Sequence, residues 1–558
     1  MKNIFLLIVS LFTLYIIPNA QNHNHYNFGN PLEIRPLYAA NFGELRTNHF
    51  HMGLDFKTKG IEGLNILSVE DGYVSRIKVS SYGYGKVIYI DHPNGITSVY
   101  AHCSKFLGKI DSIINLEQYK QKSFEVEIFP EPNSIMVKKG QKIALSGNTG
   151  GSMAPHLHFE LRDTKTETAL NPLLYGYDIT DHKRPKINSL KIYALDKNGF
   201  IIDSKSVQIP ILSNGQNYYT KNFTLPENFI PLNGGIGVGV NMFDQYDSAH
   251  NKIGVFKHYL ILDNDTISKI QIDSVSFDNT RYINCYSDYK DFKTLHRKYH
   301  KSFKNKINPL GIYKMNNLGA LFPRESDTLD LSFFAEDTKS NKTKCKINLI
   351  VNDQSFNKER LNIDADIVSP FYNYTFNEDN IRIEIENYTF YQPEICTLVK
   401  NGDFKFEFGS EFIPIHHPIN IKVKDSSLIS DSRKYLTVNN KYLKTIIKDD
   451  TLCARSKYLG KFEVKSDINK PYVSNSNFNT SKSITQKSIK WKIYDRESGL
   501  KSYNLFIDNQ WFLAEYEYKT NALIFNIPKK IKGYKNVKVI VKDNCNNQTE
   551  WSANLNFQ

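Results

Sequence analysis

Short runs in which apolar and polar residues alternate, separated by Gly, Pro and Asn turns, recur along the chain and predict strands rather than helices. In the first third, Lys86 to Asp91 reads as a strand, Pro93-Asn94-Gly95 as a turn and Ile96 to His102 as the returning strand. Val137 to Leu145 reads as a further turn and strand, Gly147 to Gly151 as a loop, and His156 to Arg162 as another strand. Between Leu107 and Val137 an amphipathic stretch (Ile110, Ile113, Ile114, Leu116, then Phe124, Val126, Ile128, Phe129) reads as an inserted subdomain or a groove wall. The helical candidate is Asp288 to Phe303, a charged connector. Beyond Arg184-Pro185 the pattern becomes repetitive. Val238 to Asp244, Leu331 to Asp337 and Val537 to Asp543 share one ending, an alternating apolar strand that runs into Asp and then a polar turn. Strands at this spacing predict β-sandwich modules, so the class is mainly β. The expected units are an N-terminal domain over 21–185 with its insertion at about 107–137, then modules over 186–273, 274–364 with the connector, 365–470, and an immunoglobulin-like module over 471–558.

Composition narrows this picture. The chain has 558 residues, 40% of them hydrophobic and 13% aromatic, which is enough to build several cores and excludes wholesale disorder. The 71 Lys and Arg against 58 Asp and Glu leave a net charge of +13. Lys is spread along the chain rather than striped with aromatics, so no nucleic-acid module is indicated, although an anionic cell envelope would attract such a surface. Six widely scattered cysteines form no C-x-x-C pair and read as buried thiols, with one or two disulfides left open for an exported protein. Lys2 followed by fourteen uncharged residues, Ile4 to Ile17, spans about 21 Å as a helix, short of a ~30 Å hydrocarbon core. This reads as a signal peptide over 1–20, cleaved before Gln21, and it places the mature chain in the periplasm or cell envelope or outside the cell. Phe229 to Phe243 is apolar but broken by Asn and Gly, so no span is expected in the mature chain.

Three features between residues 46 and 160 carry candidate chemistry: Arg46-Thr-Asn48-His-Phe-His51-Met-Gly53-Leu-Asp55, Tyr100-Ala-His102, and Gly147-Asn-Thr-Gly-Gly-Ser-Met-Ala-Pro-His156-Leu-His158-Phe-Glu160. Strand alternation points His156, His158 and Glu160 one way and Leu157, Phe159 and Leu161 the other. His51 and Asp55, with Gly53 easing the turn between them, can converge on one cation. One imidazole from the distant strand brings the count to two nitrogens and one oxygen, the protein share of a catalytic zinc site. His49 shares a face with His51 and is a competing donor. His296 and His300 have helical i, i+4 spacing but lack the Glu of a metalloprotease helix. Cys103 follows His102 and is expected in the core.

Together, His51-x-Gly-x-Asp55, Tyr100-x-His102 and Gly147-Asn-Thr-Gly with Pro155-His156-x-His158-Phe-Glu resemble the lysostaphin/LytM-type zinc endopeptidases, which cut the peptide bridges of bacterial peptidoglycan. The resemblance covers about residues 40 to 165. It implies an antiparallel β-sheet peptidase domain with one Zn2+ per chain, held by His51, Asp55 and His158. In that pattern His102 and His156 orient and deprotonate the attacking water or steady the oxyanion, and Arg46, Asn48 and Tyr100 line the substrate groove; Arg46 and Asn48 read equally well as holding the loop before His51. Ala154 departs from the pattern, standing where Gly usually precedes Pro-His-x-His. The implied substrate is a stem or cross-link peptide of peptidoglycan. The alternative is a non-catalytic LytM-like protein that grips the wall or activates an amidase, and a protease acting on a secreted protein is a weaker third reading. Because the histidines act neutral, activity is expected to fall in mildly acidic buffer. Residues 186–558 show no catalytic set, and their protein partners are not legible.

Overall fold

The computed structural model describes residues 27–247, 249–357, 367–402, 404–429 and 433–558. The expected signal segment 1–20 lies outside the described residues. No described helix is long and apolar enough to cross a membrane.

The N-terminal domain is built on one twisted antiparallel sheet. Its order is Tyr38–Ala40, Leu54–Lys57, His156–Asp163, Ile96–Ala101, Lys86–Asp91, Gly72–Val79, Val126–Ile128. Register sets the chemistry. His158 lies opposite Asp55 on one neighbour and Ala101 on the other. Period-two alternation then sends Leu54, Phe56, Leu157, Phe159 and Leu161 into one apolar core and leaves the polar side chains on the other face. Gly53 is needed where the turn meets the central strand: a Cβ there would stand 2.2 Å from the Phe159 carbonyl oxygen.

The 107–137 stretch is not a groove wall. Helix Gly108–Gln121 buries Ile110 and Ile114 in the main core, and Val126–Ile128 pairs with Gly72–Val79 at the sheet edge remote from Asp55. The i, i+3, i+4 spacing of Ile110, Ile113 and Ile114 is a helical signal that alternation-based reading passed over. The expected helix 288–303 is also shorter than its pattern indicates. Asp288 caps Tyr289–Leu295 by accepting from the Asp291 N–H, His296 adopts φ 54° and ends it, and Tyr299–Lys301 is a strand.

Three sandwiches follow, not four modules. The expected cut at 273 runs through a single unit: Lys257–Leu262 pairs with Thr328–Glu336, and one core runs from Ile187 to Val351. The hydrophobic pattern conceals this because the two halves are joined by pairing between strands some seventy residues apart. A second core gathers Val368 to Phe462 and a third Ile484 to Phe557, each between two antiparallel sheets. All six cysteines are free thiols, five of them buried.

The units close on one another. Phe42, Leu45, Phe50 and Met52 of the N-terminal domain share a cluster with Ile270, Ile272, Val275 and Tyr286 of the first sandwich. Arg281 donates to the Ile415 carbonyl of the second sandwich at 2.8 Å. The third sandwich returns to the N-terminal domain through Lys86–Glu515 at 2.7 Å, Tyr82 against Tyr518 and Tyr119 against Trp511. Trp511 is thus an interface aromatic.

Candidate metal centre

Three atoms from two adjacent strands and the turn before them meet on the polar face of the sheet. His51 Nε2 lies 3.0 Å from Asp55 Oδ1 and 3.1 Å from His158 Nδ1, and His158 Nδ1 lies 2.9 Å from Asp55 Oδ1. Each ring is fixed by its outer nitrogen. His51 Nδ1–H donates to the Asn41 carbonyl at 2.7 Å, and His158 Nε2–H donates to Glu160 Oε1 at 2.8 Å. Both inner nitrogens therefore present lone pairs to a carboxylate oxygen, and three electron-rich atoms this close need a cation or a proton between them. Donors on a tetrahedral zinc at 2.0–2.1 Å stand about 3.3 Å apart, close to the spacings observed. Two imidazoles and one carboxylate suit zinc rather than calcium or magnesium, so the residues fit the implied ion.

Glu160, fully buried, anchors this arrangement. Its second oxygen accepts from Arg162 Nε at 2.7 Å, and Tyr84 donates its hydroxyl to the oxygen that holds His158. Burial opposes the charge on Glu160, but Arg162 and His158 outweigh it and bring the carboxyl down to about 2. Burial likewise depresses His158, yet hydrogen bonds and charge from Asp55 and Glu160 override it and push the imidazole up to about 9. Burial opposes ionisation of Asp55 too, and His51, His156 and His158 hold it well below the usual carboxylate range. Without metal, a proton on His158 occupies the place of the cation.

His102 and His156 flank the centre with their rings 4.8 Å apart. His102 leaves the end of its strand at φ 62° and donates Nδ1–H to the Thr149 carbonyl at 2.8 Å. His156 donates Nδ1–H to the Ala154 carbonyl at 2.8 Å, which puts its Nε2 3.4 Å from Asp55 Oδ1. Burial, then the charges of His158 and His156, lower His102 to about 3, so it is neutral at any ordinary pH. The loop that carries Thr149 is glycine-built for contact: Gly150 has φ +69°, and a Cβ there would meet the Gly85 nitrogen at 2.3 Å. Lys519 of the third sandwich donates to the Asn148 and Ser152 carbonyls of the same loop.

The remaining expected site residues divide. Arg46 is part exposed, with Nη2 3.9 Å from Asp55 Oδ2 and 3.3 Å from Glu44. Asn48 adopts φ 66° and its Oδ1 accepts from Asn284 of the first sandwich at 3.0 Å, so it ties a loop down. Tyr100 is a correction. It is fully buried on the core face against Phe159, and its hydroxyl accepts from the Val69 N–H at 2.9 Å. The resemblance implied a groove position for it, but the strand ends at Ala101 and the positive φ of His102 turns that ring to the opposite face from Tyr100. His49 points away to the Thr47 carbonyl. His300 is buried against Tyr286 and pairs with no metal donor set among the described residues. Sequence reading assigned no role to Glu160, Arg162 and Tyr84. The available signal was the same-face run His156, His158, Glu160, Arg162, opposite the apolar Leu157, Phe159 and Leu161.

A β-sheet that presents two histidines and an aspartate around one point, with two further histidines beside it, has the donor set of a metallopeptidase. The sequence agrees: residues 49–118 and 133–172 match the model of Peptidase family M23. The N-terminal domain thus resembles that lysostaphin/LytM-type family, whose members are typically zinc metallopeptidases but include non-catalytic proteins. The chain is 32% identical over 123 residues to an uncharacterized metalloprotease of Haemophilus influenzae, covering 22% of this chain and 20% of that one. It is 32% identical over 111 residues to the peptidoglycan DD-endopeptidase ShyB of Vibrio cholerae, covering 20% of each. It is 34% identical over 116 residues to the murein hydrolase activator NlpD of Escherichia coli, covering 21% of this chain and 24% of that one. The match thus spans about a fifth to a quarter of these relatives' length.

Proposed function

We propose that this chain is an exported zinc endopeptidase that hydrolyses peptide cross-links of bacterial peptidoglycan. The observation that carries the reading is the convergence of His51 Nε2, Asp55 Oδ1 and His158 Nδ1 with both outer ring protons tied to fixed acceptors. These three side chains would hold the ion. When bound, zinc polarises the scissile carbonyl and brings the pKa of water down to about 7. The chain's own residues do the rest. His102 and His156 keep their Nδ1 protons on backbone carbonyls, so their Nε2 lone pairs are free; His156 Nε2 would accept the proton of the attacking water, and His102, held neutral, would orient that water. The same nitrogen returns that proton to the leaving amine. A part-exposed guanidinium on Arg46 beside Asp55 offers a contact for a substrate carboxylate.

The peptidoglycan substrate is supported by the resemblance to ShyB. A second reading has its own support in the likeness to NlpD: a wall-binding or amidase-activating protein without hydrolysis. The complete donor set favours the enzyme. Mass spectrometry of muropeptides after incubation with zinc-loaded protein separates the two. Cross-linked dimers are expected to become monomers, with no conversion by His158→Ala or after chelation. Sacculus binding by the zinc-loaded protein with no conversion would replace the enzyme with the regulator.

A further inference from the structure

The shared strand ending, apolar strand then Asp, is unexplained by the peptidase reading, and the fold gathers it into two carboxylate clusters. Asp181, Asp244 and Asp337 bring carboxylate oxygens within 4.8 Å of one another, and so do Asp467, Asp495 and Asp543. The first three are all more than nine-tenths buried. Asp467 and Asp543 are fully buried.

The two clusters are the same corner built twice, in the first and third sandwiches. Asp181 and Asp467 each stand four residues before a proline, Pro185 or Pro471, on the linker entering the sandwich. Asp244 follows strand Gly235–Phe243 as Asp495 follows strand Ser488–Tyr494. Asp337 and Asp543 each begin Asp-x-x-x-Asn-x-Thr. Asn341 donates its side-chain amide to Asp337 and to the Asp181 carbonyl, and Asn547 does the same to Asp543 and the Asp467 carbonyl. Thr343 and Thr549 donate to the carbonyls of Pro185 and Pro471.

Turn N–H groups donate to Asp181, Asp337, Asp467, Asp495 and Asp543, but they do not satisfy every polar atom at the corners. Asp244 Oδ1 is buried with no partner, and the Tyr246 hydroxyl is buried without one as well. In the second cluster the Ser498 N–H donates to Asp467 Oδ2 at 3.0 Å. The lysines of these turns are engaged elsewhere: Lys183 with the carbonyls of Tyr246 and Asp247, Lys339 with Asp178, Lys501 with Asn546. Three carboxylates that close, out of water and without a cation are unfavourable as anions. Burial, reinforced by the neighbouring acids, pushes Asp244 up to about 8. Ligands at 2.3–2.6 Å from one calcium stand up to about 5 Å apart, which accommodates the 4.8 Å limit. All-oxygen donors with no His or Cys favour a hard cation and set these corners apart from the histidine centre.

We propose that each corner binds one Ca2+, and that the two ions fix the linker between the peptidase domain and the first sandwich and the linker between the second and third sandwiches. Carboxylates from the linker and from two strand ends share each ion, so binding locks the entry angle of the sandwich that follows. This is independent of the zinc centre and of any hydrolysis. Equilibrium dialysis of the full mature chain with Ca2+ at ~1 mM tests it. Two ions per chain are expected, with a Tm several degrees above that of the calcium-free protein. Asp244→Asn is expected to retain one ion, and Asp244→Asn combined with Asp543→Asn none, with zinc content unchanged in both. No bound calcium and an unchanged Tm in the unaltered chain would overturn the proposal, whatever the variants do. So would two bound ions in the double variant. Stabilisation by Asp244→Asn without calcium, in a chain that ignores calcium, would show that the corners hold protons instead.

Discussion

At the scale of single residues, the centre depends on which ring nitrogen carries the proton. Glu160 sets this for His158, so Glu160→Gln is expected to weaken zinc binding by about 10–100-fold while the fold persists; competition against a chromophoric chelator measures it. The raised pKa of His158 gives a second prediction. Metal-free His158 is protonated below about 9, and zinc needs its Nδ1 lone pair. Apparent zinc affinity should therefore rise about tenfold per pH unit between about 6 and 8, with one proton released per ion, as read by calorimetry in buffers of different ionisation enthalpy. By the same linkage, the metal-free protein loses a stabilising contribution as pH rises from about 6.5 through about 9. His102, held near 3, contributes no acid limb of its own. The donor types and the pairing of His51 with Asp55 were legible in the sequence because a short Gly-containing turn and a same-face strand leave few alternatives. The outer hydrogen bonds were not, because Asn41 and Thr149 act through backbone carbonyls that carry no side-chain signature.

At the scale of strands and helices, alternation predicted the central strand well and failed where strands end. Tyr100 and His102 share parity, yet one lies in the core and the other at the centre. Tyr100→Phe is accordingly expected to cost about 1–3 kcal/mol of stability, since the Val69 N–H loses its buried acceptor, while zinc content and kcat/KM stay unchanged. Urea unfolding beside a peptidase assay checks it, and a changed KM at unchanged stability would return Tyr100 to the groove. The helix Gly108–Gln121 and the short helix after Asp288 expose the same weakness from the other side. A few apolar residues at helical spacing are outvoted by flanking strand patterns unless caps are weighed with them.

At the scale of the whole molecule, sequence gave the sandwich class but not the count. The strands that unite 186–273 with the segment beyond it pair across a long separation, and nothing local encodes such a partner. Nor did it show that the third sandwich returns to the peptidase loop. Lys519 fastens that loop, and Thr149 on the loop orients His102, so the third sandwich is linked to the position of that ring. Lys519→Ala is expected to speed amide exchange across residues 147–152 and to lower kcat by about tenfold with zinc retained. Hydrogen exchange and single-turnover kinetics provide the two readings. Unchanged exchange in that loop would separate the module from the site.

Every step proposed for the centre turns on one zinc ion shared by His51, Asp55 and His158. X-ray absorption at the zinc edge on the full chain, compared with Asp55→Ala, addresses it most directly. One ion per chain is expected, with two imidazole nitrogens and a carboxylate oxygen at about 2.0–2.2 Å, lost in the variant. An ion that survives Asp55→Ala with an unchanged shell, or a sulfur in that shell, would contradict it.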